Sequence, residues 1–347
     1  MQIDGRQIGP DHPPYIIAEL SGNHGGSLKR ALEIVDAVAQ AGADALKLQT
    51  YTADTMTIDA DGDDFLISEE SSLWHGRRLY ELYEQAHTPW EWHEAIFTRA
   101  REQGLAAFSA PFDTSAVDFL ETLDVPAHKI ASFESTDLGL IRHAAATGKP
   151  MIISTGLATA AEVDEAVSAA RQAGCTELLV LKCTSAYPTT PTDSNLATIP
   201  HLAALTGCPV GLSDHTQGIG AAVASVAFGA VAIEKHVTLS RADDTVDAAF
   251  SLEPHELAQL VIESRRAWEA IGEVHYGPTD AELGSLRLRR SLYIVEDIGV
   301  GEELTRDNVR SIRPGYGLPP GRFNDVLGLR VARDVARGTP LSWELLR

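Results

Sequence analysis

Cysteine is scarce in this 347-residue chain. The three present, Cys175, Cys183 and Cys208, show neither CxxC spacing nor an even framework, which argues against a disulfide scaffold or a zinc ribbon and for buried thiols in a reducing compartment. Long apolar runs are missing as well. Nothing approaches the roughly 18 apolar residues of a membrane span, and the opening MQIDGRQIGPDHPP has no apolar signal-type stretch. The chain is expected to be neither inserted nor exported, hence cytoplasmic. Positive charge is in short supply too: 28 Lys and Arg against 49 Asp and Glu give a formal net charge of −21. That balance argues against nucleic acid or an anionic membrane as partner. Low-complexity tracts and solenoid repeats are also lacking.

What is present is an alternation. Eight short β-branched or aliphatic runs end in polar residues: YIIAEL (15–20), ALKLQT (45–50), AAFSAPF (106–112), HKIAS (128–132), MIIST (151–155), LLVLKC (178–183), PVGLSDH (209–215) and VAIEKH (231–236). Helical stretches separate them, such as LKRALEIVDAVAQAGA from Leu28. This pattern predicts a (β/α)8 TIM barrel, whose chemistry sits at the carboxyl ends of its strands.

At about one domain per ~150 residues the length suggests two domains. A barrel over 1–275, a Gly/Pro/Glu linker over 276–288 and a small β-rich module over 289–347 fit the pattern, with short β runs in SLYIVEDI, NVRSIR and LRVARDV. Residues 285–347 carry 11 Arg and 8 acidic residues, a net of +3, so the first 284 carry −24. A basic module could dock on an acidic body. The segment 51–101 exceeds an ordinary βα connection and is expected to wall or cover the site. Its second half reads helical, with Thr88 capping and Pro89 in the first turn, and its Trp and Tyr side chains could equally be core.

Only six lysines occur, and Lys47, Lys129, Lys182 and Lys235 lie in or at the ends of proposed strands. Lysine is a poor strand residue that is seldom buried unpaired. Salt bridges between strands, or side chains snorkelling among the helices, are one explanation, favoured for Lys182 and Lys235. The other is a cavity. Period two puts Lys47 with Gln49, Ser213 with His215 and Glu234 with His236 on single faces. If those faces point into the barrel mouth, lysines together with Ser109, Ser132, Ser154 and Ser213 ring it as phosphate donors. His215 and His236 end neighbouring strands about 4.8 Å apart and could share one metal ion, or simply hydrogen-bond. Glu19, ending the first strand, could orient a metal-bound water or act as general base.

These motifs in this order resemble the sialic acid synthase family, enzymes that condense phosphoenolpyruvate with a free amino-hexose into nine-carbon 2-keto acids. The resemblance rests on AELSGNHGG, GADALKLQTY, the PFD of FSAPFD, KIASFE, KPMIISTG, KCTSAYP, GLSDHT, EKH and RSIRPGYGLPPG, and covers nearly the full chain. It implies a barrel followed by an antifreeze-like (SAF) domain, in a homodimer where each SAF domain covers the partner's barrel. The stretch LWHGRRLYELYEQAHTPWEWH and FSLEP (250–254) are more similar to the pseudaminic acid synthase branch than to neuraminate synthases, and KIASFE replaces the KIGSGE type of the latter.

Carried over by motif, the resemblance implies a divalent ion (Mn²⁺ or Mg²⁺) on His215 and His236, with phosphoenolpyruvate on Lys47, Ser109, Lys129, Ser132, Ser154, Ser185 and Ser213. The sugar is expected at Gln49, Glu134, Tyr187, Asp247 and Arg313 of the partner subunit. Glu19, Lys47, Lys129, His236 and Arg313 are the expected catalytic group. In that mechanism the metal polarises the sugar aldehyde, C3 of phosphoenolpyruvate attacks it, water steered by Glu19 or the metal adds at C2, and phosphate leaves. The expected sugar is 2,4-diacetamido-2,4,6-trideoxy-L-altrose. N-acetylneuraminate or legionaminate synthesis from another amino-hexose is the alternative within the family. A Schiff-base aldolase, a metal-dependent barrel hydrolase, which would want an HxH pair where only Asn23 and His24 stand, and a non-catalytic carbohydrate-binding protein are the rivals outside it.

Overall fold

The computed structural model describes residues 1–70 and 72–347. Eight parallel strands close into a barrel: β1 (Tyr15–Glu19), β2 (Ala45–Thr50), β3 (Ala106–Pro111), β4 (His128–Ile130), β5 (Met151–Ser154), β6 (Leu178–Cys183), β7 (Val210–Ser213) and β8 (Ala232–His236), with β8 closing against β1. Each run read from the sequence forms one strand. β2 and β6 keep their full length, whereas several others lose polar end residues to the loops above the barrel. After β4, for example, Ser132–Glu134 turns in a 3-10 helix.

The helical layer comprises α1 (Leu28–Ala41), α2 (Leu79–Ala86), α3 (His93–Glu102), α4 (Thr114–Thr122), α5 (Leu138–Ala146), α6 (Ala160–Gln172), α7 (Thr198–Thr206), α8 (Gly220–Ala227) and α9 (Pro254–Ile271). Local chemistry sets their limits. In α1 the Ser27 hydroxyl caps the Arg30 amide, Gly42 at φ 83° ends the helix, and Ala31, Ile34, Val35 and Val38 form the buried stripe. In α6, Thr159 and Glu162 form a reciprocal capping box.

The first half of the 51–101 segment contains a short helix at Ala53–Met56 and a 3-10 turn at Asp63–Phe65; the second half, expected to be helical, forms α2, a 3-10 turn at Trp90–Trp92 and then α3. Thr88 caps nothing. Its buried hydroxyl meets His24 Nε2 at 3.3 Å instead, while Pro89 precedes the 3-10 turn.

Strand register decides which side chains reach the cavity. Glu19 pairs with both Lys47 and His236, Glu234 with Ser213, and Ser213 with Cys183, so these residues share the inner face. Ser109 pairs with Leu48 and His128, which places it on the outer face towards the helices.

Two compact units divide the chain, Met1–Gly272 and Glu273–Arg347. The second contains the antiparallel pair β9 (Ser291–Ile294) and β10 (Val309–Ile312) around its own core, including Leu292, Ile294, Leu304, Val309, Val331 and Leu341. The run LRVARDV makes isolated bridges rather than a strand, Val331 to Leu346 and Val335 to Ile298 among them. Close approach requires Gly317, where a Cβ would collide with the Leu292 carbonyl.

Candidate active site

A cavity of about 910 Å³ opens at the carboxyl ends of the strands. Its floor is ionic. Lys47 Nζ lies 3.0 Å from Glu19 Oε1 and 3.0 Å from Glu234 Oε1, and Lys129 Nζ lies 3.5 Å from Glu234 Oε1. All four side chains are buried. Burial would depress Lys47, but Glu19 and Glu234 hold it above the ordinary lysine value. Burial prevails at Lys129, which is pulled down despite Glu234. Burial would likewise lift Glu19, yet His236 and Lys47 hold its carboxyl well below the usual range.

Hydroxyls flank this floor. Ser132, Ser154, Ser185 and Ser213 line the cavity. Ser154 Oγ is buried and has no partner among the described residues, and Ser213 Oγ donates to Glu234 Oε1 at 3.2 Å. Ser132 Oγ accepts the Gly156 amide at 3.1 Å. At Gly156 a Cβ would strike the hydroxyls of both Ser185 and Ser132, so a side chain there would displace them from the cavity wall.

His215 and His236 face one another with ring centroids 5.3 Å apart. His215 Nδ1–H donates to the Thr184 carbonyl at 3.0 Å, which leaves the lone pair on Nε2. His236 directs Nε2 at Glu19 Oε2, 3.0 Å away, and its buried Nδ1 has no hydrogen-bond partner among the described residues. Asp247 Oδ2 stands 3.7 Å from that Nδ1 and accepts from the Ser21 hydroxyl. Two imidazole lone pairs, one of them orphaned, fit an open divalent site that keeps positions for water and substrate. Among the described residues no group of three or more His, Cys, Asp and Glu side chains forms a closed cage.

The sugar-side residues also meet here. Gln49 donates to Glu19 Oε1 at 2.8 Å, and the Tyr187 ring lies 4.4 Å from that of His215. Glu134 lines the cavity, one of its oxygens is buried without a partner among the described residues, and burial pushes its carboxyl up to about 7. The 51–86 excursion supplies the opposite wall through Tyr51, Met56, Ile67, Leu82 and Tyr83. Trp74 from the same excursion packs on Tyr187 at 5.8 Å and donates its indole N–H to the Val246 carbonyl at 3.1 Å.

One expected ligand is corrected. Ser109 is fully buried on the outer face, where its hydroxyl bonds Thr50 Oγ1 at 2.6 Å, and Thr50 in turn meets His93 Nε2 at 2.8 Å. It takes no part in the ring. Lys182 and Lys235 also stand outside the ring: Lys182 donates to Thr184 Oγ1 at 2.5 Å, and Lys235 pairs with Asp214 at 3.0 Å. Arg313 lies exposed in the terminal unit, just after β10. Among the cavity residues missed as site candidates are Glu234, Cys183 and Trp74. The first was detectable, since it shares parity with His236, but a carboxylate is not an obvious member of an anion site. Cys183 Sγ lies 3.9 Å from His215 Nδ1.

The fold and the cavity define a barrel enzyme with a lysine-bearing, hydroxyl-lined bed beside an imidazole pair. The NeuB family model matches residues 34–276, and a SAF domain model matches residues 289–347. The chain belongs to the NeuB family and carries a C-terminal SAF domain. It is 43% identical over 334 residues to the pseudaminic acid synthase of Campylobacter jejuni subsp. jejuni serotype O:23/36 (strain 81-176), covering 95% of this chain and 96% of that protein. Identity is 41% over 331 residues with the pseudaminic acid synthase of Helicobacter pylori (strain ATCC 700392 / 26695), at 95% and 97% coverage. Among solved structures, the N-acetylneuraminic acid synthetase of Leptospira borgpetersenii serovar Hardjo-bovis, in complex with citrate, superposes with a TM-score of 0.73 at 31% identity, over 82% of this chain and 94% of that one.

Proposed function

We infer that this chain catalyses the pseudaminic acid synthase reaction, condensing phosphoenolpyruvate with 2,4-diacetamido-2,4,6-trideoxy-L-altrose to a nine-carbon 2-keto acid and phosphate. The observation that carries the reading is the meeting, in one cavity, of the Lys47/Lys129 bed and the His215/His236 pair. The similarity to pseudaminic acid synthases over 95% of the chain selects the branch.

Lys47 and Lys129, with Ser132, Ser154, Ser185 and Ser213, bind the phosphate and carboxylate of phosphoenolpyruvate and orient its C3 towards the sugar aldehyde. Lys47, kept an ammonium by two carboxylates, suits anion binding and not the imine chemistry of an aldolase. His215 and His236 would hold a divalent cation, Mn²⁺ or Mg²⁺, which when bound supplies Lewis-acid polarisation. Glu134, titrating near neutrality, donates the proton that the aldehyde oxygen gains as the carbon–carbon bond forms. Glu19, held strongly ionised, is a poor proton acceptor; it orients the water that adds at C2 and steadies His236. One proton of that water returns to the Glu134 carboxylate, and the tetrahedral adduct then expels phosphate by C–O cleavage, the water's second proton leaving with the phosphate. Gln49, Tyr187 and Asp247 hold the sugar, and the apolar excursion wall receives its C6 methyl, because a buried hydroxyl left unpaired there costs ~1 to 3 kcal/mol.

We further place the enzyme in the cytoplasm as a homodimer in which Arg313 of the partner subunit completes the site. Phosphate release should be measured with a panel of free hexoses, before and after chelation and with Mn²⁺ or Mg²⁺ restored. The altrose-series sugar should outperform N-acetylmannosamine and the manno-configured diacetamido sugar, and turnover should require the cation. Preference for one of the latter sugars would move the chain to the neuraminate or legionaminate branch.

A further inference from the structure

Lys47 and Lys129 face one cavity but are held unequally. Lys47 has two carboxylate partners, Glu19 and Glu234, each at 3.0 Å. Lys129 has one among the described residues, Glu234 Oε1 at 3.5 Å. Glu234 is 2% exposed and engages Lys47, Lys129 and Ser213 through Oε1, while its Oε2 has no partner among the described residues. A buried carboxylate oxygen without a donor costs stability, so packing alone does not account for this side chain.

We propose that Glu234 is a positioning residue that holds Lys129 as an ammonium directed at the donor's anionic groups, while Glu19 suffices for Lys47. The proposal rests on the functional reading above only for the identity of that anion. The charges facing Lys129 are Glu234 on β8, Lys47 on β2, Glu19 on β1, Cys183 on β6 and Glu134 in the turn after β4. His236, beyond Lys235 on Glu234's own strand, meets Glu19 Oε2 at 3.0 Å rather than Glu234. Burial is the largest influence on Lys129, Lys47 repels it, and Glu234 is the foremost group opposing both. The isosteric change Glu234→Gln therefore removes the one carboxylate paired with Lys129 among the described residues and leaves Lys47 its pair with Glu19.

With only six lysines in the chain, the partition can be read directly. The full-length protein, labelled with ¹³C at lysine Cε and assigned through Lys47→Arg and Lys129→Arg, should be titrated by NMR without ligand. In Glu234→Gln the Lys129 transition should fall by about one pH unit or more, a tenfold change in its proton affinity. Lys47, which loses its 3.0 Å contact with Glu234 but keeps Glu19, should fall less than Lys129, and Glu234→Asp should recover at least half of the Lys129 shift. An unmoved Lys129, or equal falls at both lysines, overturns the proposal. If Glu234→Gln fails to fold, Glu19→Gln reads the same partition from the other side. Lys47 should then fall more than Lys129, and the opposite pattern overturns the idea. A protein that divides its protons as proposed yet binds no phosphoenolpyruvate supports the inference and refutes the functional reading.

Discussion

Both oxygens of Glu19 are committed, one to Lys47 and Gln49 and the other to His236, and this fixes what the residue can contribute. It orders neighbours more readily than it accepts a proton. Ser109 makes a comparable point by parity. Its hydroxyl belongs to a Thr50–Ser109–His93 cluster between barrel and helices. Ser109→Ala should therefore leave the Michaelis constant for phosphoenolpyruvate within about twofold and cost about 1 kcal/mol of stability, the usual worth of a lost hydrogen bond. Steady-state kinetics with denaturant unfolding checks both, and a tenfold rise in that constant would return Ser109 to the anion bed. The sequence misled here for a physical reason. Every residue of β3 is buried, as parallel strands covered on both faces are, so no polar alternation marks its inner face. Where polar residues stand two apart, as at Lys47 and Gln49 or Glu234 and His236, the inner face was legible.

Between barrel and helices, two buried histidines tie the excursion to the strands it follows. His24 accepts the Gly26 amide on Nδ1 at 3.1 Å and meets Thr88 through Nε2, while His93 spans the Pro89 carbonyl at 3.2 Å and Thr50. Burial lowers each to about 4 from an ordinary value of 6.5. The sign follows from linkage. The unfolded chain takes up these protons first, so the stability they confer is complete above about pH 6.5 and is lost as the pH falls towards 4, on the order of 3 kcal/mol for each histidine. Denaturant unfolding at pH 7.5 and 4.5 should show this loss, and His93→Gln should lessen it. A pH-independent midpoint in the native protein would remove the argument. The same region shows where reading elements from sequence stopped. Its helical periodicity was visible, but Thr88 beside Pro89 has the chemistry of a cap, and only the fold, by bringing His24 to that hydroxyl, assigns it elsewhere.

At the scale of the whole molecule, eight alternations of buried strand and amphipathic helix made the barrel legible, whereas an association between chains would leave no periodic trace. Charge is the available guide. The module over 285–347 is net +3 and the preceding 284 residues are −24, so association of one chain's module with another chain's barrel is electrostatically favoured. Arg313 is exposed at the end of β10, where a guanidinium can offer several fixed donors to a polar sugar and stay charged when water is excluded. The expectation is that each active site is completed by Arg313 of the partner subunit. Mixed dimers test it, because chains carrying Arg313→Ala and chains carrying Lys129→Ala are each impaired alone. In a heterodimer one of the two sites would regain both native groups, so after subunit exchange about a quarter of native activity should return, given random pairing and one competent site in each mixed dimer. Exchange shown by mass-tagged chains with no recovery of turnover would assign Arg313 to its own barrel or to no site.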